Sequence, residues 1–287
     1  MDTMRAIFKA TFPEADIPEM TPEEYMKARV DWYNGTTGNL NEEDGISCDI
    51  CHNKGFIQKI STEDGQPHLI ECYCMKQRRA AKAMQASGLG GLIDKDFDNY
   101  DATEAWQERA KRLSMEFSEK PDKSWLYFGG MHGSGKTHLC TAVCKALINQ
   151  GRTVKYLLWG EISQKLNALK YKYEESEQYL DELKRVEILY IDDFLKTATD
   201  QNNKPEKPGR EELHNAYTVI NARYFANKKT LISTEHFLSE YETYDGAAAG
   251  RIKEKASALI LINREDSRNY RKKGKGASAD DKADSDS

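Results

Sequence analysis

A glycine-rich segment near the middle of the chain has the residues and spacing of a phosphate-binding loop. It reads Gly130-Met-His-Gly-Ser-Gly-Lys-Thr137, which fits the pattern G-x-x-x-x-G-K-[ST]. Its glycines allow consecutive backbone N–H groups to turn toward a phosphate chain, and a following helix adds a favourable dipole. We expect Lys136 to contact the β- and γ-phosphates and the Thr137 hydroxyl to bind magnesium. The residues predicted to contact the nucleotide are Gly130, Met131, His132, Gly133, Ser134, Gly135, Lys136, Thr137 and His138.

A second chemical element is a pair of carboxylates at the end of an apolar run. The segment Val186-Glu-Ile-Leu-Tyr-Ile-Asp-Asp193 is typical of a buried strand that ends in two acids. We predict that Asp192 holds magnesium through water and that Asp193 polarises the water that attacks the γ-phosphate. The alternative interpretation is a surface turn that carries two solvated acids.

Four of the six cysteines form two close pairs that could hold a metal ion. The pairs are Cys48-x-x-Cys51 and Cys72-x-Cys74, and 20 residues separate them. This arrangement suits tetrahedral coordination of zinc by thiolates. His52 or His68 could replace one thiolate, and four unrelated thiols are the alternative. A zinc ion would stabilise a segment that is too short to bury a core of its own.

Composition is typical of a globular protein from a reducing compartment. The 287 residues carry a net charge of −5, and 39% are hydrophobic and 31% charged. The acidity argues against a basic nucleic-acid coat protein but allows a local basic patch. We expect a cytoplasmic protein, because no apolar run approaches the ~20 residues of a membrane span and the first residues lack a signal peptide's apolar stretch. Cys140 and Cys144 lie one helical turn apart and are expected in a core.

The N-terminal third is predicted to contain small elements. Thr21-Pro-Glu-Glu24 is a capping box, which predicts a helix that ends near Gly35. Residues 46–74 are predicted to form a zinc knuckle, and Met75–Ser87 a basic helix. We therefore expect an N-terminal helical segment (1–45), a knuckle with its basic helix (46–91), a nucleotide-binding domain (92–271) and a disordered tail (272–287).

Within the predicted nucleotide-binding domain, apolar strand-like runs alternate with helical patterns. The runs are Trp125–Phe128, Thr153–Leu158, Val186–Ile191, Thr230–Ser233 and Ala258–Ile262. Five strands separated by helices predict an α/β fold whose parallel sheet is covered by helices on both faces.

The motifs together resemble those of the AAA+ ATPases of the DnaC-type replicative helicase loaders, especially the phage and prophage members. The resemblance rests on the loop, the paired aspartates and three later segments: Leu231-Ile-Ser-Thr-Glu235, Gly250-Arg-Ile252 and Asn269-Tyr-Arg271. It implies an AAA+ core over residues 92–271. IstB-type transposition ATPases share nearly the same core.

The resemblance also implies further site residues. The sensor that contacts the γ-phosphate or the lytic water would be Ser233, Thr234 or Glu235. Arg251 would be an arginine finger that reaches the nucleotide of a neighbouring subunit, and Arg271 is a weaker candidate for nucleotide contact. The chain departs from the family pattern at Asp193, where many relatives have Glu, and at Glu235, where many have Asn.

The partners implied by the resemblance are a hexameric replicative helicase, single-stranded DNA and, with ATP bound, further copies of the chain. Candidate DNA-tracking segments are Phe194-Leu-Lys196, Lys204–Arg210 and Tyr224–Lys229. Two alternatives remain open. One is an IstB-like helper ATPase for transposition, and the other is a zinc adaptor that holds nucleotide with negligible hydrolysis.

Overall fold

The computed structural model describes residues 20–120 and 122–270, and their contacts divide into two units. The first unit ends at Arg79 and the second begins at Ala80. The division falls within a helix, whereas the sequence analysis placed a boundary after residue 91. The predicted disordered tail, Arg271 and the first 19 residues of the N-terminal segment lie outside the described residues.

From residue 20 onward, the first unit contains two helices, a hairpin and the start of a third helix. These elements are α1 (Pro22–Gly35), α2 (Leu40–Asp44), β1 (Phe56–Ile60), β2 (Pro67–Glu71) and α3 (Tyr73–Ala86), which continues into the second unit. The predicted capping box of α1 is present, since Thr21 Oγ1 accepts the N–H of Glu24 at 3.2 Å and Glu24 accepts the N–H of Thr21 at 2.7 Å. The amide of Asn34 joins α1 to β1 through two hydrogen bonds to the Gln58 backbone, at 2.9 and 2.8 Å.

The second unit is built on a parallel five-stranded sheet. Its strands are β3 (Trp125–Gly130), β4 (Val154–Leu158), β5 (Ile188–Phe194), β6 (Lys229–Thr234) and β7 (Ala256–Ile262), in the order β4-β5-β6-β3-β7. All four neighbouring pairs are parallel, so their carboxyl ends meet at one edge. The predicted fold class and all five predicted strands are confirmed.

Seven helices of the second unit flank the sheet or connect its strands. They are α4 (Ala105–Glu119), α5 (Lys136–Asn149), α6 (Trp159–Ala168), α7 (Tyr173–Arg185), α8 (Arg210–Ala226), α9 (Leu238–Tyr244) and α10 (Gly246–Lys255). Two short 3-10 helices lie at Gly90–Leu92 and Asp266–Arg268.

The sheet separates two apolar clusters because successive strand residues point to opposite faces. Leu126 and Phe128 of β3 lie in the cluster that contains α5, whereas Trp125 and Tyr127 lie in the cluster that contains α6 and α8. Helices were expected to cover both faces of the sheet, but on the edge strand β7 Leu259 and Leu261 are exposed. Cys140 and Cys144 of α5 are fully buried in the first cluster, which confirms their predicted place in a core. No helix among the described residues is long and apolar enough to span a membrane.

Candidate nucleotide-binding site

The phosphate-loop motif contains three glycines with positive φ, and two of them lie against β7 and the segment that follows it. Gly130 and Gly133 have φ values of +115° and +66°, which residues with a Cβ rarely adopt. A Cβ on Gly130 would lie 2.0 Å from the carbonyl oxygen of Ile262, and one on Gly133 would lie 2.2 Å from Asn269 Oδ1. The segment after β7 therefore packs directly against the loop, and the glycines make this approach possible.

Lys136 is buried at the start of α5 and folds back on the loop. Its Nζ donates to the carbonyl oxygens of Gly130 at 3.0 Å and Met131 at 2.7 Å. Burial lowers the pKa of Lys136 to about 8, against the opposing effect of three nearby carboxylates, of which Glu235 acts most strongly. The ammonium therefore lies in the loop, close to the two acids near the end of β5 and to Glu235 after β6, as a phosphate-binding lysine requires.

Asp192 lies at the centre of the site and accepts hydrogen bonds from several elements. Its Oδ1 accepts the Thr137 hydroxyl at 3.2 Å and its neighbour's N–H at 3.1 Å. The Ser233 hydroxyl on β6 also donates to Oδ1. Its Oδ2 accepts the Tyr156 hydroxyl of β4 at 3.2 Å. The structure thus brings together the two residues predicted to hold magnesium, Thr137 and Asp192, and their oxygens suit that hard cation.

Asp193 is half-buried and has an unusual backbone conformation. Its φ is +53°, and the β5–β6 register shifts between Ile191 and Phe194. This conformation lies in an irregularity of β5, after which Phe194 pairs again with Thr234 of β6. The Asp193 carboxylate pairs with Lys196 Nζ at 2.6 Å. The predicted role of Asp193 as the base stays a prediction. To act as the base, its carboxylate would first have to leave this ion pair.

The three sensor candidates at the end of β6 have different environments. Ser233 contacts Asp192, as described above, and its oxygen lies 3.2 Å from Tyr190 Oη. Thr234 is bound to backbone groups, since its Oγ1 donates to the carbonyl of Phe194 at 2.6 Å. Glu235 is buried, and its carbonyl oxygen accepts from Arg264 at 2.6 Å. Which of the three acts as sensor stays a prediction.

Asp96, Tyr100 and Asp101, which the sequence analysis missed, contact two residues that it had named, His138 and Tyr270. Tyr270 N donates to the carbonyl of Gly133 at 2.9 Å, and Tyr270 Oη donates to the carbonyl of Asp101 at 2.7 Å. His138 Nε2 binds the carbonyl of Asp96 at 2.8 Å, and its ring packs edge-on against Tyr100. The aromatic cluster in Phe97-Asp-Asn-Tyr100 was the available signal, although nothing in its spacing indicates contact with the loop.

The sequence analysis also did not identify Arg264. Its guanidinium donates to both carboxylate oxygens of Glu240, at 2.7 and 2.6 Å, and stacks on Phe237. Glu240 in turn accepts the N–H of Phe237 at 2.8 Å. Because Arg264 also holds the Glu235 carbonyl, this mostly buried ion pair fixes the turn that follows β6.

Arg251 lies on α10 beside two tyrosines of α8. Its guanidinium carbon is 5.2 Å from the ring centre of Tyr217 and 5.6 Å from that of Tyr224. One terminal nitrogen donates to the carbonyl of Ala247 at 3.0 Å. A contact with a neighbouring subunit's nucleotide stays a prediction.

Comparison with known proteins identifies the family. Residues 53–248 match the family described as IstB-like ATP-binding protein, and this match covers more than half of the chain. The chain belongs to this family. The AAA+ resemblance inferred from the motifs is thereby confirmed. The match includes the loop, both aspartates and the end of β6, and it ends before Arg251.

Three relatives of this IstB-like protein illustrate its range. It is 29% identical to the uncharacterized protein YqaM of Bacillus subtilis over 68% of this chain and 64% of YqaM. It is 28% identical to the phage-like element PBSX protein XkdC of Bacillus subtilis over 75% of this chain and 81% of XkdC. It is 27% identical to the replicative helicase loader DnaC of Escherichia coli K12 over 42% of this chain and 51% of DnaC. The matched part thus spans less than two thirds of YqaM and about half of DnaC.

The IstB-like chain also groups four thiols in its first unit. The sulfur atoms of Cys48, Cys51, Cys72 and Cys74 all lie within 4.8 Å of one another. Cys48 and Cys72 are 3.7 Å apart, and Cys51 and Cys74 are 3.5 Å apart. Tetrahedral ligands at the usual zinc–sulfur distance would be about 3.8 Å apart. The cysteines are free, and neither predicted substitute histidine belongs to the group. This donor set fits a zinc ion.

Two of the predicted DNA-tracking segments are wrong in part. Phe194 is buried in the core, so it cannot stack on a base. Lys229 is also buried. Its Nζ donates to the carbonyl of Lys120 at 3.1 Å and lies over the ring of Phe117. By contrast, Tyr171 in the turn between α6 and α7 is 92% exposed, and Tyr173 at the start of α7 is 78% exposed. Their alternation with lysines in Lys170-Tyr-Lys-Tyr173 is a signal that the sequence analysis did not use.

Proposed function

We propose that this protein is an ATP-dependent loader that binds a hexameric replicative helicase and helps deliver it to single-stranded DNA. The observation that carries the ATPase part is the convergence of Lys136, Thr137 and Asp192 at the carboxyl edge of the sheet. The relationship to DnaC of Escherichia coli supports the loader part. ATP hydrolysis would serve as a switch between assembled and released states.

The arrangement of the loop suggests how its residues act on ATP. Lys136 would exchange its two carbonyl partners for β- and γ-phosphate oxygens, whose charge favours the protonated amine. Thr137 and Asp192 would hold magnesium, which supplies neutralisation of the phosphate charge. Asp193 would orient the attacking water after its carboxylate leaves Lys196.

The assembly part of the proposal rests on Arg251. An arginine finger that acts in trans needs neighbouring copies, so ATP would favour self-association. The two tyrosine rings hold the guanidinium without a carboxylate partner among the described contacts. This environment leaves the positive charge available for a phosphate.

The proposed contacts with DNA and the helicase involve other parts of the chain. Tyr171 and Tyr173 have the exposure that base stacking needs, and the adjacent lysines supply charge. In the first unit, a zinc ion held by the four thiols would make a rigid platform for contacts with the helicase.

Two measurements test this function. ATP turnover should be measurable with magnesium and should respond to single-stranded DNA. The purified protein should form a complex with the replicative helicase of its host on gel filtration with ATP. A complex with a transposase and none with the helicase would replace the loader by a transposition helper.

A zinc adaptor with negligible hydrolysis is the second candidate. The Asp193–Lys196 ion pair and the buried Glu235 favour it, because both differ from an arrangement with an unpaired base and an amide sensor. Helicase binding that requires zinc and nucleotide, together with no turnover in the presence of DNA, would support the adaptor.

A further inference from the structure

Tyr156 of β4 contacts the candidate magnesium site although no nucleotide motif includes it. Its hydroxyl donates to Asp192 Oδ2 at 3.2 Å. The other three donors to this carboxylate, described above, all bind Oδ1. Oδ1 thus already accepts three donors, whereas Oδ2 accepts only the Tyr156 hydroxyl among the described contacts and has room for a second donor. Tyr156 therefore holds the oxygen that remains available to a metal-bound water.

The Tyr156 side chain is itself fixed by its surroundings. Its ring packs on Tyr190, its cross-strand partner in β5, with ring centres 5.3 Å apart. Its backbone N–H donates to the carbonyl of Ser87 at 2.7 Å. The backbone at Gly88 also lies close to β4, since a Cβ there would lie 3.1 Å from the carbonyl oxygen of Tyr156. The hydroxyl thus reaches Asp192 from a pre-organised position.

We propose that Tyr156 is a positioning residue that orients Asp192 Oδ2 for magnesium. This inference rests on the proposed nucleotide site. Without the hydroxyl, the carboxylate would keep its three bonds to Oδ1 but could rotate Oδ2 away from the metal. Loss of such an outer hydrogen bond typically weakens metal binding about tenfold or more. Magnesium affinity should therefore fall while nucleotide affinity in the absence of magnesium should not.

The test uses Tyr156→Phe in the full chain, because phenylalanine keeps the ring that packs on Tyr190. Binding of a fluorescent ATP analogue is measured in EDTA and then over a magnesium titration. The matched control is Tyr241→Phe, which removes a buried hydroxyl that has no hydrogen-bond partner in the described structure. Thermal unfolding in EDTA checks that both variants are folded.

We expect the magnesium concentration for half-maximal enhancement of binding to rise about tenfold in Tyr156→Phe, with unchanged binding in EDTA. Tyr241→Phe should match the wild type. A midpoint within threefold of wild type, or an equal loss of binding in EDTA, overturns the inference because the hydroxyl is then structural only. If the wild type binds no nucleotide, or binds it independently of magnesium, the proposed function itself fails.

Discussion

The sheet of the second unit is buried between two apolar clusters, whereas the first unit has a small cluster built around three buried cysteines. The second unit can therefore fold by burying apolar surface. In the first unit, most residues of the β1–β2 hairpin are exposed, and the described core is the thiol group itself. We therefore expect the two units to be stabilised differently: the first by a metal ion held by the four thiols, and the second by its hydrophobic core.

The largest expected effect is loss of the zinc site on which the first unit is proposed to depend. The double variant Cys72→Ser with Cys74→Ser should lose zinc completely and unfold the first unit, since the binding energy of a structural zinc is folding energy. Metal analysis should find about one zinc per wild-type chain and none in the variant. The second unit should keep its ATP binding.

The control for the thiols is Cys144→Ala, which changes a buried cysteine of the second unit. It should retain zinc and lower the stability of the second unit by about 1 kcal/mol. Absence of zinc from freshly purified, reduced wild-type protein would show that the first unit is not stabilised by zinc.

The second prediction concerns the hydrophobically stabilised unit. Lys136→Ala should abolish ATP turnover, because the loop loses the cation that contacts the β- and γ-phosphates. Zinc content should be unchanged. Lys184→Ala serves as the control, since that exposed lysine pairs only with Asp181 on α7 in the described contacts. Wild-type turnover in Lys136→Ala would contradict the assignment of the site.

Much of this second unit was predictable because its signals are local. The β3 strand, the loop and the β5 strand follow from apolar runs and from glycine spacing within about ten residues. The contact of Tyr270 with Gly133 was not predictable, because the two residues are far apart in sequence and only the folded sheet brings them together. Phe194 and Lys229 were misassigned to the surface because a basic-aromatic composition does not reveal which strand ends are buried.

The third prediction concerns Arg251, which lies outside the family match. Arg251→Ala should bind ATP nearly normally but hydrolyse it at least a hundredfold more slowly, as loss of an arginine finger does. Lys255→Ala is the matched control, because Lys255 lies on the same helix and over the same Tyr224 ring at 5.2 Å.

Mixing tests whether Arg251 acts in trans. Lys136→Ala keeps the finger, and Arg251→Ala keeps the loop, so mixed assemblies contain some interfaces in which both are intact. Some turnover should return on mixing, once sedimentation has shown that the subunits assemble. Normal hydrolysis by Arg251→Ala alone would make this residue an ordinary surface cation.

The smallest expected effect concerns the contrast between the adjacent acids Asp192 and Asp193. Asp192 is buried and accepts four hydrogen bonds, whereas Asp193 is half-buried and pairs with Lys196. Asp193→Asn should therefore keep magnesium-dependent ATP binding and lose about a hundredfold in hydrolysis rate, as expected when a general base is removed. An exposed ion pair contributes only about 0–1 kcal/mol, so Lys196→Met should change the rate by less than about fivefold. Single-turnover hydrolysis rates of both variants distinguish a role of the Asp193 carboxylate as base from a role of its ion pair with Lys196. If the two variants slow hydrolysis equally, the ion pair rather than the Asp193 carboxylate matters, and the base must be sought at Glu235.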